Sequence, residues 1–538
     1  MRIRRRVSWR HCTVAAAALA AAVLSLEPAF AKPVAVEGGQ IADATPDATG
    51  VRTFKGIPFA APPVGDLRWK APQPVKPWTG VRNAADWGPR CVQTNRLGEI
   101  DPLNKRMDED CLYLNVWSPA KTGGGSLPVM VWIYGGSNAN GAGSQPDYDG
   151  ASLARKGVIV VTFNYRVDVF GFLAHPDLTK ESGTNSSGNY GLLDQIAVLK
   201  WVQKNIRAFG GDPHRVTIFG ESAGAFNVSL LMASPLAKGL FARAIGESGG
   251  GLTPVPPFGP KPLKTGEQDG VKFAQAMGAN SIADLRAKSA QDILDQVQKT
   301  PISYGFGVYD GYVVPANPAT LYAQGKQNHV PLLVGWNADE GSYFAARIKL
   351  PADAPPFADR VKKLFGDMAD KALKLYPPGS TPEQEKASYV ALLGDQIIGY
   401  GGWAWAERVA AGGKSPVYRY YFTRRPPGAP ELSINWRLAA PGVFHSAEIP
   451  YVFNNLALVK EWTWEQDDMR IAEMMSSYWT NFAKTGNPNG KGLPLWPAYK
   501  SGGKGQVMEL GKASGPRAEQ NRDRYELLDA FYKQAAAK

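Results

Sequence analysis

Val216-Thr217-Ile218-Phe219-Gly220-Glu221-Ser222-Ala223-Gly224 opens on β-branched and aromatic residues and closes on a glycine-bracketed turn. Its first four residues have the composition of a strand buried on both faces. Gly-Glu-Ser-Ala-Gly is an instance of G-x-S-x-G, and residues 225–232 continue it with a helix-compatible run. A strand entering a helix through so tight a turn lifts the central serine to the rim of a sheet, and the flanking glycines spare the neighbouring backbone a Cβ. The hydroxyl then stands near a helix N-terminus, where backbone N–H groups favour developing negative charge. Ser222 is therefore the candidate nucleophile.

Outward from this turn, strands alternate with helices. Residues 128–134 (PVMVWIY) and 158–163 (VIVVTF) are continuous apolar runs of the kind found in central parallel strands. Residues 112–117 alternate as a strand should, and further strands are expected at 243–247, 331–335 and 417–423. Leu192, Ile196, Leu199, Val202 and Ile206 recur at three- and four-residue steps, with Gln195, Gln203 and Lys204 falling elsewhere. That predicts an amphipathic helix stopping at Gly210-Gly211. The alternation implies α/β architecture, a large mostly parallel sheet flanked by helices. Residues 353–409 read as a helical insertion forming a lid or side subdomain. Residues 34–37 and 52–55 read as an antiparallel start, and the Pro/Gly-rich stretch 250–264 as a long surface connection.

The 538 residues show no repeat, low-complexity tract or charge block that would mark a linker, so residues 32–538 read as one domain. Residues 1–31 read as a signal peptide. Five arginines lead an apolar run over 13–26 that is short for a membrane span, Glu27-Pro28 interrupts it, and Ala29-Phe30-Ala31 supplies a small-x-small cleavage site. The paired arginines suit either export route. The mature chain is then exported, periplasmic or secreted, without stable membrane association. Of the formal charge of +12, five arginines and one glutamate leave with the signal, so about +8 remains, spread thinly. No cluster of Lys and Arg interleaved with aromatics points to nucleic acid. Cys12 is lost with the signal, and Cys91 and Cys111 remain as an even pair that reads as a disulfide in an oxidising compartment.

A serine hydroxyl needs a base. His11 is lost with the signal, leaving His175, His214, His329 and His445. In hydrolases built on this elbow the chain order is Ser, acid, His, which excludes the first two. His329 enters the strand at 331–335 with the best acids after it, whereas His445 lies in a glycine-led loop suited to presenting a side chain. The acid belongs on the loop after that strand, Trp336-Asn337-Ala338-Asp339-Glu340-Gly341, where order and context leave Asp339 and Glu340 equal.

Several stretches together resemble the type-B carboxylesterases, the cholinesterase-like branch of the α/β-hydrolases. They include Gly56-Ile57-Pro58-Phe59-Ala60, Glu109-Asp110-Cys111-Leu112-Tyr113-Leu114-Asn115, Asn164-Tyr165-Arg166 and Gly188-Asn189-Tyr190-Gly191. Later in the chain come Phe219 to Gly224, Asn337-Ala338-Asp339-Glu340-Gly341, Phe444-His445 and Tyr478-Trp479-Thr480-Asn481-Phe482-Ala483, all in family order. The resemblance extends to exported bacterial members of the para-nitrobenzyl and fumonisin types. It implies the α/β-hydrolase fold and a serine carboxylesterase acting on a small-molecule ester through an acyl-enzyme, with no metal or cofactor. The catalytic residues would be Ser222, Glu340 and His445, with a Cys91–Cys111 disulfide. The oxyanion hole would be formed by the N–H groups of Gly136, Ser137 and Ala223. Gly135-Gly136-Ser137 departs from the family's three glycines, which puts an extra Cβ near the substrate. Residues 92–110 contain no Trp, Tyr or Phe to hold a quaternary ammonium, which disfavours choline esters. Tyr304, Phe306, Tyr309 and Tyr312 are either an acyl-side wall or core. A non-catalytic binding protein on the same scaffold would have lost the nucleophile. An amide or lactone hydrolase would use the same triad.

Overall fold

The computed structural model describes residues 33–94, 101, 103–119, 126–254, 259–300, 305–348, 353–427, 442–460, 462–503 and 505–537. The signal-like segment 1–31 and Tyr304 lie outside these residues. Ten strands make the main sheet: β1 (Val51–Pro58), β2 (Tyr113–Pro119), β3 (Leu127–Ile133), β4 (Ile159–Phe163) and β5 (Gly211–Glu221). They continue with β6 (Arg243–Glu247), β7 (Leu332–Asn337), β8 (Val417–Phe422), β9 (Gln506–Leu510) and β10 (Gly515–Ala518). Their order is β10-β9-β8-β7-β6-β5-β3-β4-β2-β1. The pairs from β9 across to β4 are parallel, and antiparallel pairs occur only toward the two edges. The sheet is thus mostly parallel, as the apolar runs predicted.

The principal helices are α1 (Tyr190–Asn205), α2 (Ala223–Ala233), α3 (Glu340–Ala345), α4 (Phe357–Phe365), α5 (Ala369–Leu375), α6 (Pro382–Gly394), α7 (Tyr400–Ala411), α8 (Gln466–Thr485) and α9 (Arg522–Ala537). Helices α1, α2 and α8 pack against β5, and α7 packs against β7 and β8. The segment 353–409 is helical as expected, and α6 lies against α3.

Three local expectations change. Val34–Val36 pairs with Gly39–Ile41 in a separate small sheet, not with the strand at 52–55, which belongs to β1 in the main sheet. Gly38 makes the tight turn possible: its φ is +97°, and a Cβ there would strike Trp78. Residues 250–253 are buried instead of forming a surface connection, because Gly250 and Gly401 bring two backbones into contact. Gln195 is fully buried, since α1 is covered on more than its apolar face.

The Asn164-Tyr165-Arg166 stretch ties three parts of the fold together. Asn164 accepts from Gly143 N–H and donates to the carbonyls of Pro89 and Cys111, tying the Cys91–Cys111 disulfide loop to the sheet edge. Tyr165 stacks on Tyr134 at 4.4 Å. Arg166 donates to Asp194 of α1 through its backbone N–H (3.0 Å), Nε (2.8 Å) and Nη2 (2.7 Å), with both side chains buried. Removing one partner of a buried pair leaves an uncompensated charge. Asp194→Ala is therefore expected to cost about 3–5 kcal/mol of unfolding free energy, read from denaturant melts; a cost under ~1 kcal/mol would contradict this role.

Candidate active site

Ser222 sits between β5 and α2 with φ +55° and ψ −123°, a backbone conformation that an L-residue adopts only under strain. The cause is crowding. A Cβ on Gly220 would lie 2.5 Å from the Ile133 carbonyl oxygen, and one on Gly224 would lie 1.9 Å from it. Strand and helix therefore approach β3 closely, and the residue between them absorbs the bend. Ser222 N–H donates to Glu247 O at 2.9 Å, and Ser222 O accepts from Phe226 N–H at 3.0 Å, which pins the turn from both sides.

The structure brings Ser222, His445 and Glu340 into one line. Ser222 Oγ is 2.8 Å from His445 Nε2, and His445 Nδ1 is 2.6 Å from Glu340 Oε2. Glu340 also accepts Asn337 N–H through Oε1 (2.8 Å), so both of its oxygens are engaged. Asp339 points elsewhere: its Oδ2 accepts Val443 N–H at 2.8 Å and its N–H donates to Val443 O at 3.0 Å. It staples the loop that carries His445 without touching the imidazole. His175 caps the helix at Pro176–Glu181 through Nδ1, and His329 stands 3.2 Å from Lys414.

Sequence reasoning overlooked the acids behind the histidine. Glu221 Oε1 lies 3.3 Å from His445 Nε2 and accepts the Ser446 hydroxyl at 2.5 Å. Glu448 accepts from Ser248 (2.8 Å) and Asn337 Nδ2 (2.5 Å), and Glu247 accepts Trp479 Nε1–H (2.7 Å). Burial pushes the Glu221 carboxyl up, against the pull of His445. Burial works to lower the His445 pKa, but Glu221 and Glu340 outweigh it, so the imidazolium is held up. The signal for Glu221 was its adjacency to Ser222; nothing local marks Glu448.

Gly135, Gly136 and Ser137 line the same cleft as Ser222 and His445, and Ala223 is the first residue of α2. Gly136 has φ +97° and Ser137 φ +58°. Asn138, the next residue, fixes this loop by exchanging amide hydrogen bonds with Asn227 of α2 (3.1 and 2.8 Å) and accepting the Tyr165 hydroxyl at 3.0 Å. Among the described residues Tyr148 also lines the cleft, and the aromatic wall beside His445 comes from Tyr343 and Phe344 of α3. Their rings lie 5.4 and 4.9 Å from the His445 ring. Of the four aromatics read as either acyl-side wall or core, the three described ones are not among the residues lining this cleft. Phe306 packs on Phe226, Tyr309 lies in a short strand pair, and Tyr312 borders a different pocket. Helical spacing three and four residues beyond Glu340 was the signal for Tyr343 and Phe344.

A sequence model described as the carboxylesterase family matches residues 32–527. The chain belongs to that family. It is 40% identical over 483 residues to fumonisin B1 esterase of Sphingopyxis macrogoltabida, spanning 86% of this chain and 84% of the relative. It is 37% identical over 466 residues to para-nitrobenzyl esterase of Bacillus subtilis, spanning 84% and 89%. A solved PNB esterase superposes with a TM-score of 0.78 at 33% identity, covering 92% of this chain and 99% of the other. A thermophilic PNB esterase gives 0.78 at 34% identity with the same coverage. The fold is that of the α/β-hydrolases, and the family places the protein among serine hydrolases of carboxylic esters.

Ser137 holds a left-handed conformation that costs a non-glycine residue about 1–2 kcal/mol, while glycine gives back about 0.5–1 kcal/mol in chain entropy. Ser137→Gly keeps the amide and is expected to leave stability unchanged or raise it by up to about 1 kcal/mol. Turnover of a small acetate ester should change less than about tenfold. A hundredfold loss of kcat on every ester would mean that the hydroxyl itself is needed.

Proposed function

We propose that this protein is an exported serine carboxylesterase in which residues 32–538 act as one catalytic domain and residues 1–31 direct export. His445 Nε2 takes the proton from Ser222 Oγ as the oxygen attacks the ester carbonyl. The oxyanion is met by the N–H groups of Gly136, Ser137 and Ala223. Collapse returns the proton from Nε2 to the leaving alcohol and leaves an acyl-enzyme. Water, deprotonated by the same imidazole, then releases the acid. Glu340 fixes the tautomer with the proton on Nδ1 and stabilises the imidazolium. Glu221 adds a second carboxylate beside the charge that forms.

The observation carrying this reading is the continuous contact Ser222–His445–Glu340, 2.8 and 2.6 Å, beside the 135–137 loop. The names of the fumonisin B1 and para-nitrobenzyl esterases support small-molecule carboxylic esters as the substrate class.

Ser222→Ala is expected to fold normally and to lose several orders of magnitude in kcat, with an organophosphate labelling Ser222 in the wild type. Labelling of a different serine, or near-normal turnover by the variant, refutes the assignment. A second expectation concerns pH. Neutral imidazole is the working base, so activity falls as pH drops through the apparent pKa of His445. Glu221→Gln removes a carboxylate that raises this pKa, and should move the acid limb of kcat/KM to lower pH by about one unit. An unmoved or raised limb would show that Glu221 does not act on the imidazole.

A further inference from the structure

One nitrogen of the catalytic imidazole has two acceptors within reach. His445 Nε2 lies 2.8 Å from Ser222 Oγ and 3.3 Å from Glu221 Oε1. The first is an ordinary hydrogen-bond length, and the second stands just beyond one. A carboxylate accepts more strongly than a hydroxyl. Left free, Glu221 would close on the Nε2–H of the imidazolium and withhold that proton from the leaving alcohol.

The hold on Glu221 is local. Its backbone is fixed in β5 opposite Glu247 of β6, so only the side chain can move. Oε1 accepts the Ser446 hydroxyl at 2.5 Å, and both residues are almost fully buried. Ser446 directly follows the catalytic histidine, borders the same cleft and holds φ +71°, in the left-handed region that favours glycine. Glycine would fit this backbone more easily but would bring no hydroxyl. A strained residue whose side chain reaches the competing acceptor points to a use for that side chain.

The titratable groups facing Glu221, besides His445, are Glu247, Glu340 of α3, Glu448, Tyr148, Tyr343 of α3 and Tyr420 of β8. Burial pushes the three tyrosines up, so they stay neutral while the imidazole titrates. Glu340 and Glu448 face His445 as well.

We propose that Ser446 is a positioning residue of the esterase reaction: its hydroxyl holds Glu221 Oε1 off His445 Nε2, so that this nitrogen serves Ser222 and then the leaving alcohol. This rests on the triad reading given above. The working form of the base is a neutral imidazole beside an ionised Glu221, and Ser446 stabilises that carboxylate with its donated hydrogen bond. Without the hydroxyl, the Glu221–His445 pair gives up its proton less readily, whichever partner carries it.

The test is the pH profile of kcat/KM for the full chain carrying Ser446→Gly, Ser446→Ala, Glu221→Gln, or Glu221→Gln together with Ser446→Gly. Both Ser446 variants are expected to lose about tenfold at the plateau. Their acid limb should move to higher pH by about half a unit or more, opposite in direction to Glu221→Gln. The double variant should match Glu221→Gln within about twofold, because an uncharged amide leaves the hydroxyl nothing to hold off. Glycine suits the backbone at this position and alanine does not, so a merely structural role would show as a loss in Ser446→Ala alone. If that variant does not fold, Ser446→Gly decides. An unmoved or lowered acid limb, wild-type activity of Ser446→Gly, or an equal loss in the Glu221→Gln background would each overturn the proposal. The pKa of His445, followed by NMR in Ser222→Ala with and without Ser446→Gly, reads the same contact without turnover. A rise on loss of the hydroxyl is expected, and no change or a fall overturns the proposal. An organophosphate that labels a serine other than Ser222 would refute the triad reading, and the NMR titration would still decide the role of Ser446.

Discussion

The carbonyl oxygen of Ile133 is the constraint on which the site depends. It lies under both Gly220 and Gly224, where any Cβ would come within 2.5 Å. Strand β5 pairs in parallel with β3, with Gly220 opposite Ile133, and α2 leaves over the same atom. The one residue left to make the turn is Ser222, and its unfavourable backbone, worth about 1–3 kcal/mol, is the consequence. The cost is offset by hydrogen bonds at its N–H and C=O and by the buried packing of β5 and α2. The result is a hydroxyl held at a fixed point, against which the other groups can be positioned.

Around that point the protein concentrates buried acid. Glu221, Glu247, Glu340 and Glu448 are all nearly inaccessible, and three of them, Glu221, Glu340 and Glu448, act on one imidazole. Burial pushes the carboxyls of Glu221, Glu247 and Glu448 up, and close donors pull against it: Ser446 for Glu221, Ser248 and Asn337 for Glu448, Trp479 for Glu247. The field favours positive charge on His445, which is what proton abstraction from Ser222 creates. It also implies that the base loses its free form at a higher pH than an isolated histidine.

Much of this was legible beforehand because it is local. Apolar runs marked the central strands, and glycines marked the elbow, since crowding by a neighbouring backbone has no other cheap solution. His445 could be narrowed by chain order and by its glycine-led loop. What stayed hidden depends on contacts between distant segments. Asp339 and Glu340 are adjacent, and only the fold shows one turned to Val443 and the other to His445. Glu448 reads as an ordinary residue until β6, β7 and the His445 loop converge on it. The aromatics at 306–312 were plausible cleft residues by composition, yet Tyr343 and Phe344 hold that place through a short helix whose register starts at the acid. Glycines at 250–251 read as a surface loop because sequence does not reveal that Gly401 is their neighbour.

The central claim is that Glu340, and not its neighbour, orients the imidazole. Comparing kcat for Glu340→Gln and Asp339→Asn on one para-nitrophenyl ester tests it directly. The account predicts a loss of about 10⁴-fold for Glu340→Gln, the size seen when a triad acid becomes an amide. Asp339→Asn, whose side-chain oxygen can still accept from Val443 N–H, should stay within about tenfold of wild type. The reverse ranking, or two variants of near-normal activity, would contradict it.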